Sequence, residues 1–283
     1  MPPRTQPTAR QERLGAELRR MREASGRTAR EAAALLGTNP IQMSQMESGK
    51  AGISEERLRR LASHYACDDA ALLEGLVAMA TGRTQGWWDE YRGVLPPSFL
   101  DLAELEHHAA FLRIISVVHV PGLLQTSDYA RAVFSFMVPE LPPQELEPRV
   151  EHRVRRRSVL AGSRKTPYTA VIHESALRIK VADHTLMLQQ WRELIRASEQ
   201  PHITLRIIPF TADGFGGANC SMLHVGGVVP QLDTVQRDTA HGSGFVHAAA
   251  ELVRLRKLFD KVEAMALDAD ASRDFLYGLT REA

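Results

Sequence analysis

The segment Thr28–Lys50, TAREAAALLGTNPIQMSQMESGK, constrains the fold of this chain more than any other stretch. Thr28 and Glu31 stand at the T-x-x-E spacing of a capping box, which lets a helix start at Thr28. Ala32, Ala33, Leu35 and Leu36 give that helix an apolar side. Gly37 sits where the chain must leave it through left-handed backbone. Asn39 is a good N-cap, and Pro40 suits a first helical turn, where a missing N–H costs nothing. The next helix turns Met43 and Met46 inward, keeps Gln42, Ser44 and Gln45 on other faces, and ends on Gly49 and Lys50. A small residue at the crossing, a glycine in the turn and apolar residues beyond it is helix-turn-helix spacing.

Charge supports that reading. The 283 residues carry a net charge of +1, but unevenly. Residues 1–66 hold 12 Lys/Arg against 7 Asp/Glu, and the remainder holds 23 against 27. A basic segment that coincides with a helix-turn-helix suits phosphate binding, because each cation releases condensed counterions. No apolar run approaches a membrane span, the N-terminus lacks an apolar signal-peptide centre, and Cys67 and Cys220 suggest no disulfide framework. A cytoplasmic protein with no membrane contact is expected.

Hydrophobic periodicity predicts two parts. A mainly α helix-turn-helix domain of five helices spans 1–80, with Leu14, Leu18 and Met21 on helix one, Leu58, Leu61, Ala62 and Tyr65 on helix four, and Leu72, Leu73, Leu76 and Val77 on helix five. A polar, glycine-bearing linker follows at 81–86, and an α+β domain fills 87–283. In the second part, helices are expected at Asp101–Ala110, Ser127–Met137, Glu147–Leu160, His184–Glu199, Val246–Ala266 and Ser272–Leu279. Strands are expected at Arg113–Val120, Tyr168–His173, Leu177–Val181, Ile203–Ile208, Ser221–Val225 and Thr234–Arg237.

Double-stranded DNA is the expected partner. Pro40, Ile41, Gln42 and Gln45 lie where a recognition helix meets base edges; Gln can pair with adenine N6 and N7, while Pro and Ile can only touch a thymine methyl. Arg27, Arg30, Ser44 and Lys50 are the candidate phosphate contacts. Residues 10–77 resemble the xenobiotic-response-element (Xre) or phage-repressor class of helix-turn-helix domains. The resemblance implies a structural ion pair between Arg22, late in helix one, and Glu47, at the end of the recognition helix. Ala29 departs from the glutamine usual at its position, and Pro40 and Ile41 replace polar readers.

From Trp87 onward, Trp87-Trp88-x-x-Tyr91, Leu105-Glu106, the string Pro121-Gly122-Leu123-Leu124-Gln125-Thr126, Tyr129-Ala130-Arg131 and Ile208-Pro209-Phe210 occur in order. Together they resemble the antitoxin-like C-terminal domain of actinobacterial Xre-type regulators. That likeness implies a transcriptional regulator, a homodimer whose second domain receives a signal from a small neighbour-encoded partner protein or a small-molecule effector. The alternative is a binding module acting mainly on that partner protein. Physically, the PGLLQTSDYAR stretch reads as a packed corner ahead of a ligand-contact role, with Leu123, Leu124 and Tyr129 as core, Ser127 as helix cap and Arg131 as a salt-bridge or capping residue. The tryptophan pair reads as an inter-domain anchor ahead of an aromatic cage. Arg149, Arg153, Arg155, Arg156, Arg157, Arg164 and Lys165 read as the solvated face of an amphipathic helix, held by local acids, with extra phosphate contacts or docking of an acidic partner as the alternatives.

An enzyme is not expected. Adjacent His107 and His108 point to different helix faces, His173-Glu174 lacks a second metal-ligating histidine, and a glycine-rich turn separates His241 from His247. The loop Asp213–Cys220 lacks the Lys-Ser/Thr of a phosphate-binding loop, and Cys220 has no nucleophile motif around it. Neither cofactor nor metal is implied.

Overall fold

The computed structural model describes residues 6–82, 85–216, 221–239 and 242–282. Cys220, His241 and two residues of the expected linker, Arg83 and Thr84, lie outside them. Five helices come first: α1 (Ala9–Ala24), α2 (Ala29–Leu35), α3 (Pro40–Glu47), α4 (Glu55–His64) and α5 (Ala70–Thr81). Each is started by an oxygen-bearing side chain that accepts a backbone N–H: Thr8, Thr28, Asn39, Ser54 and Asp69. Capping boxes close at Thr8–Gln11 and Thr28–Glu31. Leu18, Met43, Leu58, Leu61 and Leu76, all fully buried, form the centre of this bundle.

The second part follows a 3-10 turn at Trp87–Tyr91 and consists of helices around one six-stranded sheet. In chain order come α6 (Pro97–His108), β1 (Phe111–Ser116), α7 (Ser127–Ser135), α8 (Pro143–Arg156), α9 (Ser158–Ala161), β2 (Tyr168–His173), α10 (Glu174–Arg178), α11 (His184–Ser198) and β3 (Ile203–Ile208). Then follow β4 (Met222–Gly226), β5 (Thr234–Thr239), β6 (Gly242–Val246), α12 (Ala249–Glu263) and α13 (Ala269–Glu282). The strand order is β3-β2-β1-β4-β5-β6. β1, β2 and β3 run parallel, and the other pairings are antiparallel. Alternation along the strands sends Leu112, Tyr168, Leu205 and Leu223 to the face covered by α7, α11 and α13. Ile115, Val171, Met222 and Val235 go to the face covered by Phe259 and its neighbours on α12. The architecture is therefore a helical N-terminal part and an α+β C-terminal part, as the sequence predicts.

Several local expectations are corrected. Leu177–Val181 is not a strand: the segment belongs to α10 and its exit, because His173, the last residue of β2, caps a helix that starts at once. The alternation was misleading, since Leu177 is buried but Ile179 is exposed. β1 begins earlier and ends at Ser116, with Phe111 laid over Gly226, where any Cβ would meet the ring. β6 falls in the glycine-bearing Gly242–Val246 segment, which has weak strand propensity and owes its structure to pairing with β5. Thr126, not Ser127, caps α7. Trp88 packs with Tyr91, Leu95 and Leu100 inside the second part, and Trp87 against His152, so the pair anchors α6 and α8 rather than the two parts to each other.

The two parts meet elsewhere. A 3-10 turn, Pro230–Leu232, between β4 and β5 reaches the helical bundle. Val229 is buried in the bundle core, with Leu232 beside it, and a Cβ at Gly75 of α5 would lie 2.8 Å from Leu232. Arg13 of α1 donates to the Gln231 carbonyl. From the other side, Ala9 joins the core beneath the sheet. Among the described residues, no helix is long and apolar enough to cross a membrane.

Next to Ala9 lies Asp101, its carboxyl pushed up to about 7 by burial, with Glu104 and Glu12 adding repulsion and the Ala9 N–H opposing. An acid whose pKa is higher folded than unfolded favours the native state below its unfolded value and loses that contribution as pH rises to about 7. Asp101→Asn is therefore expected to raise Tm by a few degrees at pH 8. It should also flatten the fall in stability between about pH 4 and 7, as read by thermal unfolding across that range.

Candidate nucleic-acid interface

The turn between α2 and α3 is set by Gly37, whose φ of +62° lies in the left-handed region, and by Asn39, whose Oδ1 accepts the Gln42 N–H at 2.8 Å. Met43 and Met46 fill the bundle core beneath α3. That rotation fixes what the helix offers outward. Pro40, Ile41, Gln42 and Ser44 are exposed and Gln45 is half-buried. Ile41 stands 72% exposed, a large apolar side chain with no intramolecular cover. The Gln42 side chain is not idle: its Oε1 accepts the Thr38 hydroxyl, which leaves the amide nitrogen as the remaining donor. Nothing in the local sequence singles out Thr38 for this.

The candidate phosphate contacts surround that face. Lys50 is exposed just beyond α3, and Arg30 is exposed on α2. Arg27 lies 3.9 Å from Glu31, so part of its charge is shared within the first turn of α2. Ser44 is exposed on α3 itself.

Two features hold α3 against α1. Arg22 makes a forked pair with Glu47, Nε to Oε1 at 2.6 Å and Nη2 to Oε2 at 3.0 Å, while its Nη1 donates to the Arg27 carbonyl at 2.8 Å. One guanidinium thus ties the end of α1, the entry to α2 and the end of α3. Glu47's hydrogen bonds keep the Arg22 guanidinium charged, raising its pKa. Tyr65 packs in the same core, its buried hydroxyl pushed up to about 12 by desolvation and then by Glu47. The second feature is a close backbone approach. A Cβ on Gly15 would sit 2.5 Å from the Glu47 carbonyl oxygen, and one on Gly49, with φ of +74°, 2.8 Å from the Gln11 backbone. The signal for Gly15 was available as a glycine in mid-helix, which costs about 1 kcal/mol against alanine unless packing requires it.

The arginine stretch is a correction. It is not a freely solvated face, for its arginines are engaged by partners within the protein and two of them, Arg149 and Arg156, are buried. Arg156, buried, makes a forked pair with buried Glu106 at 2.8 and 2.5 Å. Arg149 donates to the Glu145 carbonyl, Arg153 to Gln125, Arg155 to Glu90, Arg157 to Glu193 and Arg164 to the His107 carbonyl. Among the described residues, no group of three His, Cys, Asp or Glu side chains could hold a metal ion.

Residues 13–74 match the family described as a helix-turn-helix domain. Residues 99–278, well over half of the chain, match a family described as a domain of unknown function (DUF5753). No curated protein and no solved structure gives a significant match.

Glu47→Ala should leave Arg22 largely buried without its counter-charge and lower stability by on the order of 3 kcal/mol in urea unfolding. Gly15→Ala should be destabilising as well, because backbone on both sides must separate to admit one methyl group.

Proposed function

The chain belongs to the DUF5753 domain family, and we propose that it is a sequence-specific DNA-binding transcriptional regulator of the Xre type, working in the cytoplasm. One observation carries the reading: α3 is clamped by Arg22–Glu47 and Gly15 while Pro40, Ile41, Gln42 and Ser44 on its outward face stay exposed. A helix that is rigid on one side and open on the other is suited to a DNA major groove. Gln42 and Gln45 supply the polar readout, Ile41 a methyl contact, and Arg27, Arg30, Ser44 and Lys50 the positioning contacts to phosphate.

In this reading the chain works as a homodimer, with two recognition helices about 34 Å apart on a two-fold operator. The second part dimerises and receives the signal, from a small neighbour-encoded protein of the antitoxin-partner kind or from a small molecule, and no catalytic role is assigned. The exposed apolar run Phe136, Met137 and Val138, after α7, supports an intermolecular contact there.

Binding of the purified protein to its own promoter fragment, against random duplex at physiological salt, tests the proposal; equal affinity for both would overturn it. Gln45→Ala should weaken the promoter fragment by about tenfold and random duplex hardly at all. Lys50→Ala should weaken both alike and reduce the slope of log K against log salt by about one.

A further inference from the structure

The C-terminal part contains a cavity of about 200 Å³, somewhat above the roughly 150 Å³ that accepts a benzene-sized ring. It lies on the sheet face beneath α6, α7 and α8. Its lining mixes apolar side chains, Phe99, Leu102, Ile114, Val133 and Leu223, with polar and charged ones that include Gln125, Arg153, Tyr168 and the Arg156–Glu106 pair.

The Pro121–Thr126 corner is organised around Arg153. Gln125 donates its Nε2 to the Val120 carbonyl at 2.8 Å, which turns its Oε1 to accept Arg153 Nη1 at 2.7 Å. A Cβ on Gly122 would stand 3.3 Å from both Cδ and Nη1 of Arg153, so glycine leaves room for the side chain to pass. The guanidinium lies over the Phe134 ring, 4.7 Å from its centre. Gln190 of α11 secures the corner from behind, accepting the Thr126 N–H and donating to the Leu124 carbonyl, each at 2.8 Å.

What this scaffold holds is a cation without an ion-pair partner. No carboxylate among the described residues pairs with Arg153, and its buried Nε has no hydrogen-bond partner. Its neighbour Arg156 occupies both oxygens of Glu106. Glu106, already engaged by Arg156, and Asp238, exposed at the rim, favour the Arg153 charge from beyond ion-pair distance. Burial, with repulsion from Arg156, pulls the guanidinium down to about 9. Tyr168, 2% exposed, also has a hydroxyl without a partner. Two buried donors facing one cavity with nothing to accept them is a costly arrangement that an anion would relieve.

We propose that this cavity binds a small organic acid, an apolar body bearing one carboxylate, which accepts hydrogen bonds from Arg153 and the Tyr168 hydroxyl. The single free guanidinium sets the charge at one, because a dianion would bring a second charge with no counterpart. The apolar part of the lining favours a ligand with an apolar body over a fully hydrated ion such as phosphate. Binding itself does not depend on DNA; any effect on the operator rests on the regulator reading above.

The test is calorimetric titration of the full chain, without DNA, by benzoate, phenylacetate, isovalerate and hexanoate. The amide of whichever acid binds and inorganic phosphate serve as controls. At least one acid is expected to bind with Kd below about 1 mM, and its amide and phosphate at least about tenfold more weakly. Arg153→Met should lose at least about tenfold, and the isosteric Tyr168→Phe about three- to tenfold. Arg155→Gln, which alters an exposed pair with Glu90, should bind as the parent does. The proposal is overturned if no acid binds up to about 10 mM, if acid and amide bind alike, or if Tyr168→Phe and a folded Arg153→Met keep the parent affinity. Should Arg153→Met fail to fold, Tyr168→Phe decides alone.

Discussion

A guanidinium taken out of water must find an anion or a set of carbonyl oxygens, and much of this molecule follows from how its arginines do so. Desolvation costs several kcal/mol per ion, and only good geometry offsets it. Arg22 meets the requirement with both oxygens of Glu47, and in doing so fixes where α3 lies on α1. Arg156 meets it with Glu106 and joins α8 to α6. In each case the fork-on-fork contact specifies orientation as well as proximity. Arg153 is the exception, and it is held as carefully as the others. The first two define the scaffold, and the third marks a place where the scaffold is incomplete.

The helical part was legible in the sequence because its determinants are local. Thr28, Glu31, Gly37, Asn39 and Pro40 act within four residues of their partners, and Met43 and Met46 lie one turn apart. The strands Tyr168–His173 and Ile203–Ile208 were legible as β-branched runs. The second part became obscure wherever the deciding partner was remote. Arg155 and Arg156 find Glu90 and Glu106 respectively 65 and 50 residues away, and no local pattern distinguishes such residues from a solvated face. α10 imitated a strand by alternation, although the chain turns into a helix capped by His173 directly after β2. On the recognition helix, residue identities were readable but not the Thr38–Gln42 contact, which depends on the turn's three-dimensional path.

The corner Pro121–Thr126 shows how a packed reading can be right and still incomplete. Leu123, Leu124 and Tyr129 are core, and the Tyr129 hydroxyl accepts the Val120 N–H at 3.2 Å. Gly122 and Gln125 are not explained by that core. Their contacts are with Arg153, so one short string performs two tasks, its outer residues serving the arginine and its two leucines the core.

The turn Pro230–Leu232 has a bearing on what the word domain means for this chain. Val229 and Leu232 complete a core built from α1 to α5, although more than a hundred residues separate them from that bundle. Ala9 makes the reciprocal loan to the sheet side. A polypeptide severed between α5 and Trp87 would expose an apolar seat on one fragment and the residue that fills it on the other. Neither piece would inherit a finished interior, so the boundary visible along the sequence is not a line along which the folded protein comes apart.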